Sequence, residues 1–84
     1  MYTKVGFANE LKKKVLNKQN LMEIGGWAFD VYLDYEDVND IEFLNILLTL
    51  DTMELGDEFA FSYERLNEIA DDLIAGKKNI NLDY

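Results

Sequence analysis

The chain has 84 residues, 49% of them hydrophobic, and this size predicts one domain spanning residues 1–84 with a core of ordinary apolar side chains. Seventeen Asp and Glu residues against eight Lys and Arg give a formal charge of −9, which argues against direct binding to nucleic acid or to an anionic membrane. Cysteine and histidine are both absent, which excludes disulfides, thiolate sites, imidazole metal ligands and the commonest general base.

The first element predicted is a helix that begins after the N-cap residue Thr3 and runs to about Asn17. Gly6 is the weak point of its first turn, because glycine costs a helix about 1 kcal/mol relative to alanine. The apolar residues that recur at helical spacing are Val5, Phe7, Ala8, Leu11 and Val15. Lysines interrupt the apolar residues of this segment, which does not fit a secretory signal, so we expect a cytoplasmic protein.

The dipeptide Gly25-Gly26 lies between apolar runs and predicts a two-residue turn in an antiparallel β-hairpin. From Trp27 to Tyr35, apolar and polar residues alternate almost strictly, which is typical of a half-buried strand. In that register one face of the hairpin is apolar, formed by Met22, Ile24, Trp27, Phe29, Val31, Leu33 and Tyr35. A helix that contains both glycines is the alternative interpretation.

A second helix is predicted to start near residue 40, to run to about Leu55 and to end at Gly56. The signals at its start are a capping box and a hydrophobic staple, formed by Asn39 with Glu42 and by Val38 with Phe43. This helix is apolar almost all round, so it must be covered on more than one side. Either the rest of the domain covers it, or a second copy of the chain does.

Ser62 predicts the N-cap of a last helix that closes at Gly76. Its apolar residues follow helical spacing at Leu66, Ile69, Ala70, Leu73 and Ile74. Short strands are predicted at 59–61 and in the alternating tail 80–84. Together these elements predict an α+β domain, in which a small, mostly antiparallel sheet packs against about three helices.

The sequence predicts no catalytic residue, no cofactor and no metal site. Ser62 is the only serine and has no histidine to take its proton. The acid-rich segment 34–42 lacks the glycine and the alternating oxygen ligands of an EF-hand loop. Residues 50–55 are similar to the helix after the prosthetic-group site of acyl carrier proteins, which implies a carrier with phosphopantetheine on a serine. Here Thr49-Leu50 stands in place of that family's Asp-Ser-Leu, so the serine that would carry the group is missing and we reject the carrier interpretation.

Charge is distributed unevenly, since residues 1–18 hold five lysines and one glutamate, whereas residues 19–76 hold fifteen acidic residues and one arginine. Neighbouring acids on one helix face stand about 6 Å apart, close to the phosphate spacing along a nucleic-acid strand. Two acidic groups are therefore candidate partner-binding residues: Asp34, Glu36, Asp37 and Asp40, and, on the last helix, Glu64, Glu68, Asp71 and Asp72.

We expect a non-enzymatic module that binds another protein with a basic surface. Its sharpest form is an inhibitor or regulator that mimics nucleic acid toward a nucleic-acid-handling protein, of the kind that small mobile elements encode. One alternative is that the acids only keep a small protein soluble. The other is a homo-oligomeric structural or adaptor domain, such as a homodimer, that associates through the apolar helix 40–55.

Overall fold

Four α-helices and one 3₁₀ helix make up most of the residues described by the computed structural model, which are 3–35, 37, 39–56, 60–78, 80 and 82. The helices are α1 (Lys4–Leu16), α2 (Leu21–Asp34), α3 (Ile41–Asp51), the 3₁₀ helix Thr52–Leu55 and α4 (Tyr63–Ile74). No strand occurs in the described part of the chain. The predicted α+β fold with an antiparallel sheet is therefore wrong, and the architecture is helical.

The predicted β-hairpin is replaced by α2, which contains both Gly25 and Gly26. The helix begins at the N-cap Asn20, whose side-chain oxygen accepts a hydrogen bond from the Met22 N–H at 2.8 Å. Its buried residues follow a helical period at Ile24, Gly25, Ala28 and Val31. Three residues of the face predicted to be buried, Met22, Phe29 and Leu33, are instead exposed.

Gly25 is buried where α2 packs against the end of α3. A Cβ built on Gly25 lies 2.9 Å from the backbone oxygen of Leu50 and 3.4 Å from the Cβ of Met53. Glycine costs a helix about 1 kcal/mol relative to alanine, but here it lets two backbones approach closely enough to pack. The glycine therefore serves helix packing rather than a turn.

The predicted caps of the first and last helices are confirmed. The Thr3 hydroxyl accepts a hydrogen bond from the Gly6 N–H at 2.9 Å, and the Ser62 hydroxyl accepts one from the Arg65 N–H at 3.0 Å. Gly76 has a φ of +73°, in the left-handed region, and closes the C-terminus of α4 as predicted. These signals are local, so the sequence alone locates them well.

The start of α3 lies one residue later than the capping box predicts. Asp40 is the N-cap, and its Oδ1 accepts a hydrogen bond from the Phe43 N–H at 3.3 Å. The Asn39 N–H instead donates to Oδ1 of Asp37 at 3.1 Å. At the other end, α3 stops at Asp51, earlier than predicted, and the 3₁₀ helix Thr52–Leu55 continues the helical segment up to Gly56, whose φ is +144°.

The two short strands predicted near the C-terminus lie partly outside the described residues, as does Val38 of the predicted staple. The structure describes four residues of these segments, and none of the four is in a strand: Ala60, Phe61, Ile80 and Leu82.

None of the described helices combines the length and the apolar character needed to cross a bilayer.

The helices form two closely packed pairs, α1 with α4 and α2 with α3. Phe7 of α1 is fully buried between the pairs and stacks on Trp27 of α2, with ring centroids 4.6 Å apart and planes 7° apart. It also meets Phe43 of α3 edge-on at 5.5 Å, and Tyr35 meets Phe43 in the same way at 4.8 Å. This aromatic cluster joins the two pairs around one core.

Candidate binding surface

The predicted partner-binding acids fall into two regions of the fold. Around the connection from α2 to α3 lie Asp34, Asp37 and Asp40, while Glu36 lies outside the described residues. On α4 lie Glu64, Glu68, Asp71 and Asp72. The surroundings of these two groups differ in charge.

Three of the four acids on α4 have a cation beside them. The pairs are Arg65 with Glu68 at 3.5 Å, Lys77 with Asp72 at 3.7 Å, and Lys12 of α1 with Asp71. Exposed ion pairs of this kind contribute little to stability, typically about 0–1 kcal/mol. They nevertheless give this face a mixed charge, so α4 presents less negative potential than its sequence indicates.

Asp40 is engaged in the fold rather than displayed. Its carboxylate pairs with Lys4 Nζ at 3.0 Å and accepts a hydrogen bond from the Tyr35 hydroxyl at 3.3 Å, in addition to capping α3. Burial disfavours its charged form, but the hydrogen bonds from Lys4 and from the Phe43 N–H outweigh burial and lower the pKa of Asp40. A partner would have to compete with Lys4 for this carboxylate.

The segment from α2 to the 3₁₀ helix, residues 21–55, contains no lysine or arginine; we call it the acidic hairpin. Indeed, no positive residue occurs in the sequence between Lys18 and Arg65. Among the acids of the hairpin that the structure describes, an ion pair is found for Asp40, with Lys4 of α1. The hairpin is therefore the part of the protein whose negative charge is least compensated.

The outer face of α2 carries an apolar stripe beside an acidic one. The apolar stripe has the spacing i, i+4, i+7 and i+11 and consists of Met22, Gly26, Phe29 and Leu33. The acidic stripe lies one residue further along at each of three positions and consists of Glu23, Asp30 and Asp34, all exposed. The exposed fractions of the apolar side chains are 52% for Met22, 36% for Phe29 and 65% for Leu33.

A shallow, open depression lies at the N-terminal half of these stripes. It is lined by Met22, Glu23, Gly26, Trp27, Phe29, Asp30 and Glu54. A hydrogen bond with Asp51, burial, and the charges of Asp51 and Asp30 together raise the pKa of Glu54. Carboxylates are therefore crowded at one end of the depression.

A second depression lies between α1 and α4 and has the opposite character. Its cations are Lys12, Lys13 and Lys18, and its apolar side chains are Val15 and Leu16. The Tyr63 hydroxyl fixes one end of it by donating to the backbone oxygen of Gln19 at 2.8 Å. Among the described lining residues, this depression has three lysines and one acid, Glu64, whereas the one on α2 has three acids and no lysine or arginine.

The described residues contain no cluster of three or more acidic side chains arranged to hold a metal ion. The Ser62 hydroxyl is used as a helix cap. Sequence reasoning identified the acidic half of the α2 surface at Asp34 but missed its apolar half, because the strand interpretation placed Met22, Phe29 and Leu33 in the core. Helical periodicity was the signal that could have found them.

Comparisons of the chain with protein-family models, with curated proteins and with solved structures found no match.

Proposed function

We propose that this protein is a non-enzymatic module that binds a basic partner protein in the cytoplasm through its acidic hairpin. The observation that carries the proposal is the absence of any lysine or arginine between Lys18 and Arg65, in a stretch that holds twelve acidic residues. Uncompensated charge of one sign attracts a partner of the opposite sign and speeds its association.

The spacing of the acids on α2 indicates what class of partner the acidic hairpin would bind. Asp30 and Asp34 are separated by one helical turn, about 6 Å, which approximates the phosphate spacing along a nucleic-acid strand. Glu23 continues this stripe along α2, and Asp37 is exposed just beyond its end. The sharper form of the proposal is a regulator that occupies the phosphate-binding surface of a nucleic-acid-handling protein.

The acids of α4 have a smaller part in the proposed contact. Glu68, Asp71 and Asp72 each lie beside a cation of the same chain, so a basic partner gains less there than at the hairpin. Glu64, in the first turn of α4, benefits from the positive end of the helix dipole. This difference makes α4 a matched internal control for the hairpin.

The second candidate function is a homo-oligomeric structural or adaptor domain. Exposed apolar side chains on α3 and the 3₁₀ helix favour it, namely Ile41, Leu48 and Leu55. Static light scattering over a wide concentration range separates the two candidates, because a protein that acts by self-association must form oligomers. A net charge of −9 on each copy opposes that association at low salt.

The test compares two triple variants that each remove three negative charges. One carries Glu23→Gln, Asp30→Asn and Asp34→Asn on α2; the other carries Glu64→Gln, Glu68→Gln and Asp71→Asn on α4. The wild type and both variants are used to capture proteins from a lysate of the source organism at about 50 and 200 mM NaCl, and mass spectrometry quantifies what is bound.

We expect the wild type to enrich basic nucleic-acid-binding proteins at low salt, the α2 variant to lose them and the α4 variant to retain most of them. Circular dichroism first establishes that both variants remain helical. Equal capture by the α2 variant and the wild type, or a captured set that is not basic, would contradict the proposal.

A further inference from the structure

We propose that the partner presents a basic amphipathic helix, which lies along α2 and seats a large apolar side chain over Gly26. This inference rests on the proposed function and specifies how the hairpin recognises its partner. It concerns the surface formed by the apolar and acidic stripes of α2.

The spacing of the apolar stripe matches what a second helix needs. Met22, Phe29 and Leu33 are exposed although they are large and apolar, and they lie on one face over about three helical turns. Helical partners bind apolar faces of this kind with anchors at i, i+3 or i+4, and i+7. A contiguous apolar stripe with polar residues beside it is also the usual mark of an interaction surface.

Gly26 is the position that internal packing does not explain. At Gly25 a Cβ would meet the backbone of Leu50 at 2.9 Å, so glycine is required there. At Gly26 the described contacts of a Cβ are with the side chain of Glu54, the nearest being Oε1 at 2.9 Å, and that exposed side chain can move away. A helix that keeps Gly26 forgoes about 1 kcal/mol relative to alanine without a gain inside the fold.

The missing side chain at Gly26 leaves a gap in the apolar stripe between Met22 and Phe29. In helix–helix contacts, a large side chain of one helix fits into the space between side chains of the other. The depression at Gly26, bounded by Trp27 and Asp30, provides such a space on the outside of the protein. Glycine at position 26 therefore makes room for that side chain of the partner.

Charge complementarity indicates which residues border the apolar face of the incoming helix. Glu23, Asp30 and Asp34 run along one flank of the apolar stripe, and Glu54 lies at the depression. Lysines or arginines beside the apolar face of a partner would therefore meet carboxylates, whereas acids there would be repelled. The occupant is a helix of about 14 residues, the length of α2, with a narrow apolar face bordered by basic residues.

The test titrates synthetic peptides against the full chain and monitors the fluorescence of Trp27. Trp27 is the only tryptophan and lines the depression, so its fluorescence reports directly on binding at this surface when the peptides contain no tryptophan. The first peptide has leucines on one helical face and lysines elsewhere, and the second has the same composition with the leucines spread around the helix. We expect the first to bind about tenfold more tightly than the second.

Variants then locate the contact. Gly26→Leu fills the gap and Leu33→Ala removes an exposed anchor, so each should weaken binding of the first peptide by about tenfold. Ile74→Ala on α4, where the side chain is 41% exposed, is the matched control and should leave binding unchanged. Because Leu33 and Ile74 are both exposed, their truncation should leave the fold intact, and circular dichroism verifies this for all three variants.

Equal binding of the two peptides, or unchanged binding by Gly26→Leu and Leu33→Ala, overturns the inference and indicates attraction by charge alone. Dimerisation of the protein that is lost in Leu33→Ala also overturns it, because a second copy then occupies the stripe. Neither result decides the proposed function, which the lysate capture with the α2 and α4 variants tests separately.

Discussion

Asp40 connects three parts of the chain through one carboxylate. It caps α3 through the Phe43 N–H, pairs with Lys4 at the start of α1 and accepts a hydrogen bond from Tyr35 at the end of α2. Its side chain is only 15% exposed, so these partners replace much of its hydration. The residue therefore contributes to the junction between the two helix pairs as well as to a helix end.

We expect Asp40→Ala to lower the free energy of unfolding by about 1–2 kcal/mol, the usual effect of losing an N-cap. Asp40→Asn should cost less, because asparagine also caps helices well and only the charge is lost. Urea denaturation at neutral pH measures both, with the exposed Asp37→Asn as control. If Asp40→Asn and Asp40→Ala are equally destabilising, capping is not the main contribution of this residue.

Acidification provides a second readout of the same residue. Since the folded pKa of Asp40 lies below its ordinary value of 3.8, its stabilising contribution is complete above that value and disappears as pH falls through the folded pKa. The stability difference between wild type and Asp40→Asn should therefore shrink on acidification below about pH 4. Glu54 has a raised pKa, so its contribution to stability has the opposite pH dependence. That contribution is present at low pH and is lost as pH rises through the folded pKa of Glu54.

Residue-level signals in the sequence were reliable where they were local. Thr3 and Ser62 bond to backbone N–H groups three residues ahead, so their roles as caps can be predicted from a short segment. The choice between Asn39 and Asp40 could not be predicted in this way, because both residue types cap helices. Lys4, which is distant in sequence, contacts Asp40 rather than Asn39.

At the level of elements, α2 shows why alternation alone was misleading. Apolar residues occupy both the inner face of α2, at Ile24 and Val31, and its exposed stripe, at Phe29 and Leu33. Two apolar faces on one helix produce a sequence that resembles the period of a strand. The strand interpretation left Ala28 out of the apolar face, whereas the structure buries it. The exposed stripe caused the error in the predicted fold.

The glycine pair of α2 allows a matched comparison. We expect Gly25→Ala to destabilise the protein by roughly 1–2 kcal/mol, because overlap with the Leu50 backbone outweighs the gain in helix propensity. Gly26→Ala should be neutral or stabilising by up to about 1 kcal/mol, because only the exposed side chain of Glu54 must shift. Thermal and urea unfolding measure both. A reversed order would show that the α2–α3 contact is looser than the structure indicates.

At the level of the whole molecule, long-range contacts decide which predicted acids remain available. Lys12 and Asp71 are 59 residues apart in sequence, and their ion pair depends on the packing of α1 against α4. The cation-poor middle segment is a property of composition and is read directly from the sequence. The sequence alone could not predict that acids of α4 would form ion pairs with lysines and an arginine. Nor could it predict that the acidic hairpin would lie on the other helix pair, away from most of these cations.

Phe7 is the side chain whose removal should uncouple the two helix pairs, because it contacts Trp27 and Phe43 across their junction. We expect Phe7→Ala to cost about 3–5 kcal/mol, a large part of the roughly 5–15 kcal/mol that stabilises a typical domain. Near-ultraviolet circular dichroism should show loss of the ordered Trp27 environment, while far-ultraviolet dichroism retains much of the helical signal. Leu33→Ala, at a side chain that is 65% exposed, is the control and should cost less than about 1 kcal/mol. If the two variants lose similar stability, the pairs are held together by contacts other than the aromatic cluster.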